Sequence, residues 1–318
     1  MTGNWHRITE SAPWPPRDSP GAAVFKDHIW LFGGWQMLGP ENFPRLNDVW
    51  RSSDGRTWEC LSRQAPWPVR NLAGCVIQGD RIWLMGGFDG VHTLGDVWCS
   101  DDGRHWDCVT QRAPWGCRGA FGSLVYDKRI WIFGGLNWER KAHYGDVWCS
   151  ADGQRWDLVE KHSPWAPRAM FPAIAYRDRI WILGGGNYHD RRVNYNDVWC
   201  SRDGLTWERE AADAGWGPRR FHSSFVFDGR MWIAGGAIEP SINMNDVWCS
   251  GDGRTWRQSH RCAPWGVRHA FPCLDFQRRI WLLGGYSGSI AGSVVYNDVW
   301  TLETAESTGG ATAGLKDP

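Results

Sequence analysis

The segment RIWIFGGLNWERKAHYGDVWCSADGQRW, Arg129 to Trp156, decides the architecture. An apolar run ends in a glycine pair; a variable stretch follows, then Gly-Asp-Val-Trp and Asp-Gly-x-x-Trp. Ile-Trp-Ile and Asp-Val-Trp are β-branched and aromatic, which suits strands packed between neighbouring sheets. The Asp-Gly step suits a tight hairpin, because glycine takes positive φ without a Cβ clash. The unit recurs. Glycine pairs stand at Gly33-Gly34, Gly86-Gly87, Gly134-Gly135, Gly184-Gly185, Gly235-Gly236 and Gly284-Gly285, spaced by 53, 48, 50, 51 and 49 residues. That period is in the range of propeller blades.

Four motifs carry nearly all of the 26 tryptophans. One Trp precedes each glycine pair, from Trp30 to Trp281, and one ends each Asp-Val-Trp, from Trp50 to Trp300. A third lies in A-P-W-x-x-R or its variants, from Trp14 to Trp265. The fourth, Asp-Gly-x-x-Trp, occurs only at Trp58, Trp106, Trp156, Trp207 and Trp256, and nothing like it follows Trp300. Its counterpart is Trp5 in Asn4-Trp5-His6-Arg7-Ile8-Thr9, the same distance before its A-P-W. The expected fold is all-β: a six-bladed propeller of four-stranded blades, closed by the N-terminal strand completing the last blade. A ring closed from both ends leaves no open edge.

The paired glycines, the downstream Trp and the Arg ahead of the first strand resemble kelch repeats, which fold as β-propellers. The resemblance spans Trp5 to about Leu302. It departs in having Trp where kelch repeats usually carry Tyr before the glycines, and Cys after Asp-Val-Trp in four copies. One propeller is expected over residues 1–303, with 5–9 as the outer strand of the last blade. The repeats run about 17–62, 70–110, 118–159, 168–209, 219–260 and 268–303. Residues 304–318, rich in Gly, Ala and Thr, read as a disordered tail.

Lys plus Arg and Asp plus Glu are each 35, so the formal net charge is zero. That is a poor footprint for nucleic acid or an anionic membrane, and no apolar run has transmembrane length. The first ten residues lack a basic region followed by an apolar block, so a cytoplasmic location is expected. Of the ten cysteines, Cys99, Cys149, Cys200 and Cys249 occupy equivalent places in different blades, too far apart to bridge one another. They read as buried thiols of a reducing compartment.

Residues present in every copy are structural by default. Arg17, Arg70, Arg118, Arg168, Arg219 and Arg268 each stand 13 residues before the strand Trp, and Asp48, Asp96, Asp146, Asp197, Asp246 and Asp298 each precede Val-Trp. Both sets are expected to hold blades and loops together. The resemblance to kelch propellers implies that a binding site forms just after the repeat Arg and just after the glycine pair. In those places Trp35 and Trp138 are the two tryptophans the repeat leaves over, joined by Phe88, Tyr188 and Tyr286. Phe221 lies next to them, and the mouth reads as aromatic, as small-molecule pockets usually are. Directly after the repeat Arg the series is Asp18, Asn71, Gly119, Ala169, Arg220, His269. Blade 5 adds His222 and Glu239, and blade 4 adds His189. Phe121, Phe171 and Phe271, equivalent to His222, either plug the channel or touch ligand.

Two histidines on adjacent blades near an Arg and a Glu can supply general acid and base beside an anion-holding cation. His222, His269 and Glu239 are therefore the expected catalytic groups. Arg220, Trp35, Phe88, Trp138, Tyr188, Tyr286, Phe221, Asp18, Asn71 and His189 are expected to bind substrate. The expected function is acid/base chemistry of isomerase, cyclase or lyase type on an apolar or aromatic small molecule with an anionic group, without a cofactor or metal. One alternative is a kelch-type module gripping a peptide or protein partner at the same face. Another is a metal-dependent enzyme using His189, His222, His269 and Glu239. Kelch-like folds include sugar epimerases and copper oxidases, but no motif here marks the oxidases' Cys–Tyr copper site.

Overall fold

The computed structural model describes residues 3–39, 41–238, 242–289 and 292–303. Six four-stranded antiparallel sheets form the blades, and their innermost strands touch in a closed circuit around a channel. Blade 1 comprises Gly21–Phe25, His28–Trp35, Arg45–Ser52 and Glu59–Ser62. Blade 6 comprises Cys273–Phe276, Arg279–Ser289 and Gly292–Glu303, and its outer strand is Asn4–Thr9. Trp5 pairs with Leu302 in that last sheet. Trp5 also meets Trp265 edge-on at 5.8 Å, as Trp58 meets Trp14 at 5.8 Å, so it fills the place of the missing sixth Asp-Gly-x-x-Trp. The ring is closed by strands from both ends of the described chain. No helix among the described residues is long and apolar enough to cross a membrane. The expected tail, 304–318, lies outside the described residues.

The invariant residues tie each blade to itself and to the next. Arg17 reaches the Asp48 carboxylate with two hydrogen bonds of 2.8 Å and donates to the Gly33 carbonyl at 2.7 Å. Asp48 also accepts the Trp50 indole N–H at 2.7 Å. The ion pair recurs in every blade, from Arg70–Asp96 to Arg268–Asp298. These arginines are buried, so each depends on its carboxylate for charge compensation.

The glycine pair serves the next blade. The Gly34 N–H donates to the Arg70 carbonyl at 2.8 Å, and Gly285 closes the circuit by donating to Arg17 at 3.0 Å. Gly33 has φ of +53°, and a Cβ there would come within 2.7 Å of the Arg70 carbonyl oxygen. Glycine is therefore required both by the backbone and by the close approach of the neighbouring blade.

The Asp-Gly turns dock between blades as well. A Cβ on Gly103 would lie 2.1 Å from the Trp30 ring of the preceding blade, and Gly55, Gly153, Gly204 and Gly253 press likewise on Trp281, Trp83, Trp131 and Trp181. All ten cysteines are free thiols. Cys99, Cys149 and Cys200 take guanidinium donors from Arg81, Arg129 and Arg179.

Candidate functional site

Two residues after each repeat Arg the chain adopts a left-handed turn, at Ser19, Leu72, Ala120, Met170, Phe221 and Ala270, with φ between 50° and 59°. Each of these residues donates its N–H to the carbonyl of its counterpart in the preceding blade. Ser19 donates to Ala270 at 2.9 Å, Leu72 to Ser19 at 3.1 Å, and Ala120, Met170, Phe221 and Ala270 continue the circuit at 2.8 Å each. The result is a closed girdle of six backbone hydrogen bonds across the channel. Left-handed backbone at a non-glycine residue costs roughly 1–2 kcal/mol, and the repeated bond offsets that strain. The girdle is the boundary between two cavities.

Above it, each residue directly after the repeat Arg forms an isolated β-bridge with the residue after the glycine pair. These bridges are Asp18–Trp35, Asn71–Phe88, Gly119–Leu136, Ala169–Gly186, Arg220–Ala237 and His269–Tyr286. All of these bridges but Gly119–Leu136 and Ala169–Gly186 contribute to the wall of a cavity of about 1210 Å³, floored by Ser19, Leu72 and Phe221. One aromatic arc runs from Phe43 through Trp35 to Tyr286, His269 and Phe221, with ring centroids 5.2–5.5 Å apart. A second runs from Phe88 to Trp138, stacked at 4.7 Å, and on to Tyr188 at 5.8 Å. Trp138 lies over Gly119, where a Cβ would approach within 2.8 Å. Its loop is anchored where Glu139 accepts the Thr93 N–H at 2.8 Å and the Thr93 hydroxyl accepts the Trp138 N–H at 3.1 Å.

Among the described residues, the wall carries three guanidinium groups, Arg45, Arg191 and Arg220, and one carboxyl, Asp18. Arg45 sits 5.3 Å over the Phe88 ring and donates to the Phe43 carbonyl at 2.7 Å, while its buried Nε has no hydrogen-bond partner. Burial draws it below the ordinary guanidinium range, opposed by Tyr188, Asp89 and Asp18. Asp18 is 4% exposed and accepts the Ser19 hydroxyl at 2.6 Å. Burial pushes its carboxyl up to about 7, against the Ser19 and Trp35 hydrogen bonds and the charge of Arg45. Asn71, 4% exposed, leaves its Oδ1 without a partner.

His269 also lines this cavity, and burial, aided by Arg220, lowers it to about 3. Its Nδ1 contacts the Asn243 Oδ1, and Asn243 donates its amide N–H to the Gly288 carbonyl at 2.7 Å. With Asn243 so oriented, Nδ1 of the neutral imidazole carries the hydrogen and Nε2 keeps the lone pair. Arg220 donates over longer distances to the Arg191 carbonyl and Asn194 Oδ1, at 3.3 and 3.4 Å.

The expected catalytic constellation does not assemble. His222 lies below the girdle in the lower channel, a cavity of about 380 Å³, whereas His269 lies above it. His222 occupies the place of Phe121, Phe171 and Phe271 in other blades and packs on Trp216 at 5.7 Å, as Phe271 packs on Trp265 at 5.6 Å. Neither ring nitrogen forms a hydrogen bond of normal geometry, the Leu183 backbone being the polar group beside it, and burial lowers His222 to about 3. The left-handed turn between Arg220 and His222 sends the two residues to opposite sides of the girdle. Phe121, Phe171 and Phe271 line the lower channel and not the mouth. Glu239 lies outside the described residues.

His189 is exposed on the rim, packed on His143 at 5.6 Å and behind Tyr188 at 5.5 Å, and not in the cavity wall. The histidines of the metal reading therefore do not converge. Among the described residues, the one potential ligand cluster is Cys200, Glu208 and Glu210, and Arg179 already reaches all three. The other expected residues, Arg220, Trp35, Phe88, Trp138, Tyr188, Tyr286, Phe221, Asp18 and Asn71, share the mouth cavity. Sequence reasoning missed Arg45, Phe43 and Asn243. They lie outside the two series compared between blades, in the segments between the glycine pair and Asp-Val-Trp, whose lengths vary and whose register the repeat does not fix.

A family model described as the KLHDC2/KLHL20/DRC7 Kelch-repeats domain matches residues 123–308. No curated protein matches the sequence. Among solved structures, one titled "Structure of YjhT" superposes with a TM-score of 0.73 at 14% identity, covering 92% of this chain and 99% of that one.

Proposed function

This chain belongs to the kelch-repeat family, and on that premise we propose that its mouth cavity binds a small, flat apolar or aromatic molecule carrying an anionic group and performs non-redox proton transfer on it. The observation that carries the reading is the cavity itself, about 1210 Å³, walled by two aromatic arcs, rich in guanidinium groups and closed underneath by the girdle. Arg220 and Arg45 hold the anionic group, Trp35 and Trp138 face the flat body, and Tyr286, Tyr188 and Phe88 complete the wall. His269, locked as a neutral imidazole, offers a hydrogen-bond acceptor at Nε2. Isomerisation, cyclisation and elimination all need such proton traffic and no electron carrier. A reducing, cytoplasmic setting fits the ten free cysteines.

Native mass spectrometry of the purified protein tests this reading. A small molecule should be retained by the wild type and lost from Trp35→Ala and Trp138→Ala variants. Retention in both variants removes the cavity from the reading.

A second reading, a protein-binding module, has its own observation. Leu38, Val91, Ile242 and Val294, all in segments that follow a glycine pair, stand 49–69% exposed. A partner protein docked over the mouth would cover them. A stable complex that survives loss of both cavity tryptophans favours this reading.

A further inference from the structure

The residues directly after the repeat Arg include a single carboxyl, Asp18. It is 4% exposed, yet it belongs to the wall of the mouth cavity. Its neighbours hold it in place from three directions. The backbone of Asp18 is bridged to Trp35 by two hydrogen bonds of 2.9 and 3.0 Å, the Ser19 hydroxyl donates to its Oδ1, and Ser19 itself is fixed in the girdle. The charged and titratable groups about it are Arg45 from its own blade and His269 and Tyr286 from blade 6, with Asp89 and Tyr188 beyond Arg45. A carboxylate in this position repels the ligand that the guanidinium groups attract. A neutral carboxyl instead presents an O–H donor to it.

We propose that Asp18 is the proton-exchanging residue of the mouth cavity, taking up a proton when an anionic aromatic ligand enters and holding it at the ligand's edge. The inference rests on the cavity reading above and assigns to Asp18 the proton-handling role that His222 cannot fill from below the girdle. In the binding step one proton passes from solvent to an Asp18 carboxylate oxygen, forming an O–H bond, and no bond in the ligand changes. In turnover the O–H bond breaks as the proton passes to the ligand, and a proton removed from another ligand atom restores it, so the sum is an isomerisation without redox change. Burial, opposed by the Ser19 and Trp35 hydrogen bonds and the charge of Arg45, brings the Asp18 carboxyl to about 7, where a nearby anion readily tips it to the neutral form. The imidazole of His269 titrates at about 3, far below neutrality, and so competes little for that proton.

The test uses 8-anilinonaphthalene-1-sulfonate, an aromatic anion whose sulfonate does not protonate near neutrality. Calorimetry at pH 7.5 in buffers of different ionisation enthalpy counts protons taken up on binding. A one-unit rise in the Asp18 pKa gives an uptake of about half a proton. Asp18→Asn, which keeps the shape, should bind the dye with no uptake. Since this variant could fold poorly, infrared titration of the wild type provides a second measurement: the protonated-carboxyl band should appear with a midpoint near neutrality and grow on dye binding. Unchanged uptake in Asp18→Asn, or dye binding to the wild type with neither uptake nor band growth, overturns the Asp18 proposal while leaving the cavity reading intact. Dye affinity unchanged by both Trp138→Ala and Arg45→Gln places the dye elsewhere and overturns the cavity reading, and this inference with it.

Discussion

Ser19 donates its backbone N–H to the carbonyl of Ala270 across 2.9 Å, joining the first blade to the last at the channel. Asn4–Thr9 joins the two ends of the ring at the opposite edge of the same sheet. The propeller is thus closed twice, and the inner closure is also the floor of the ligand cavity. Ser19→Pro removes the donor and cannot take φ of +50°. It should destabilise the protein by about 3 kcal/mol or more in urea unfolding and weaken dye binding in the mouth.

The buried ion pairs predict a larger loss. Arg219 is 1% exposed and makes hydrogen bonds of 2.7 and 2.9 Å to Asp246. Arg219→Ala leaves the carboxylate buried without its counter-charge. The expected cost is about 3–5 kcal/mol, read from the shift in the denaturant midpoint, and a smaller loss would mean that water replaces the guanidinium.

Gly103 tests the joint between blades. Its φ is +72°, and a Cβ would fall 2.1 Å from the Trp30 ring. Gly103→Ala should cost about 2–4 kcal/mol through backbone strain and overpacking together, as measured by thermal or chemical unfolding.

His222 makes stability depend on pH. Its folded value is about 3 against 6.5 for the free side chain, so below 6.5 the unfolded chain binds a proton that the folded one refuses. Stability is complete above 6.5 and falls as pH drops towards 3. Between pH 7.5 and 5 this one residue accounts for about 2 kcal/mol. His222→Phe matches the residue in three other blades; unfolding at both pH values should show that share of the loss removed. An unchanged slope would mean that His222 is solvated in the folded protein.

Trp138 lies over Gly119 and stacks on Phe88 at 4.7 Å. Truncation of the indole to Ala should weaken the aromatic dye about tenfold, or about 1.4 kcal/mol, with the fold retained because the ring lies in a loop outside the blade sheets. Fluorescence titration measures it.

The blade count and the four strands in each blade were legible in the residues alone, because they depend on a repeated pattern, and the closure by Asn4–Thr9 was legible because one copy of that pattern is missing after Trp300. Trp5 could be assigned to the last blade since its spacing to the next motif matches the other copies. The arginines and aspartates were recognisable as structural for the same reason, and subtracting the repeat exposed Trp35, Trp138, Asp18 and Arg220 as mouth residues. Spacing could not decide which side of the channel a neighbouring residue faces. Arg220 and His222 are two positions apart, a separation that keeps side chains on one face of a regular strand, yet the left-handed turn at Phe221 breaks that alternation and the girdle separates them. The environment of Asp18 was equally out of reach, because its titration near neutrality comes from burial, which outweighs the opposing hydrogen bonds of Ser19 and Trp35 and the charge of Arg45. Tertiary structure alone decides which groups share one enclosed volume, and proton affinity follows from that enclosure.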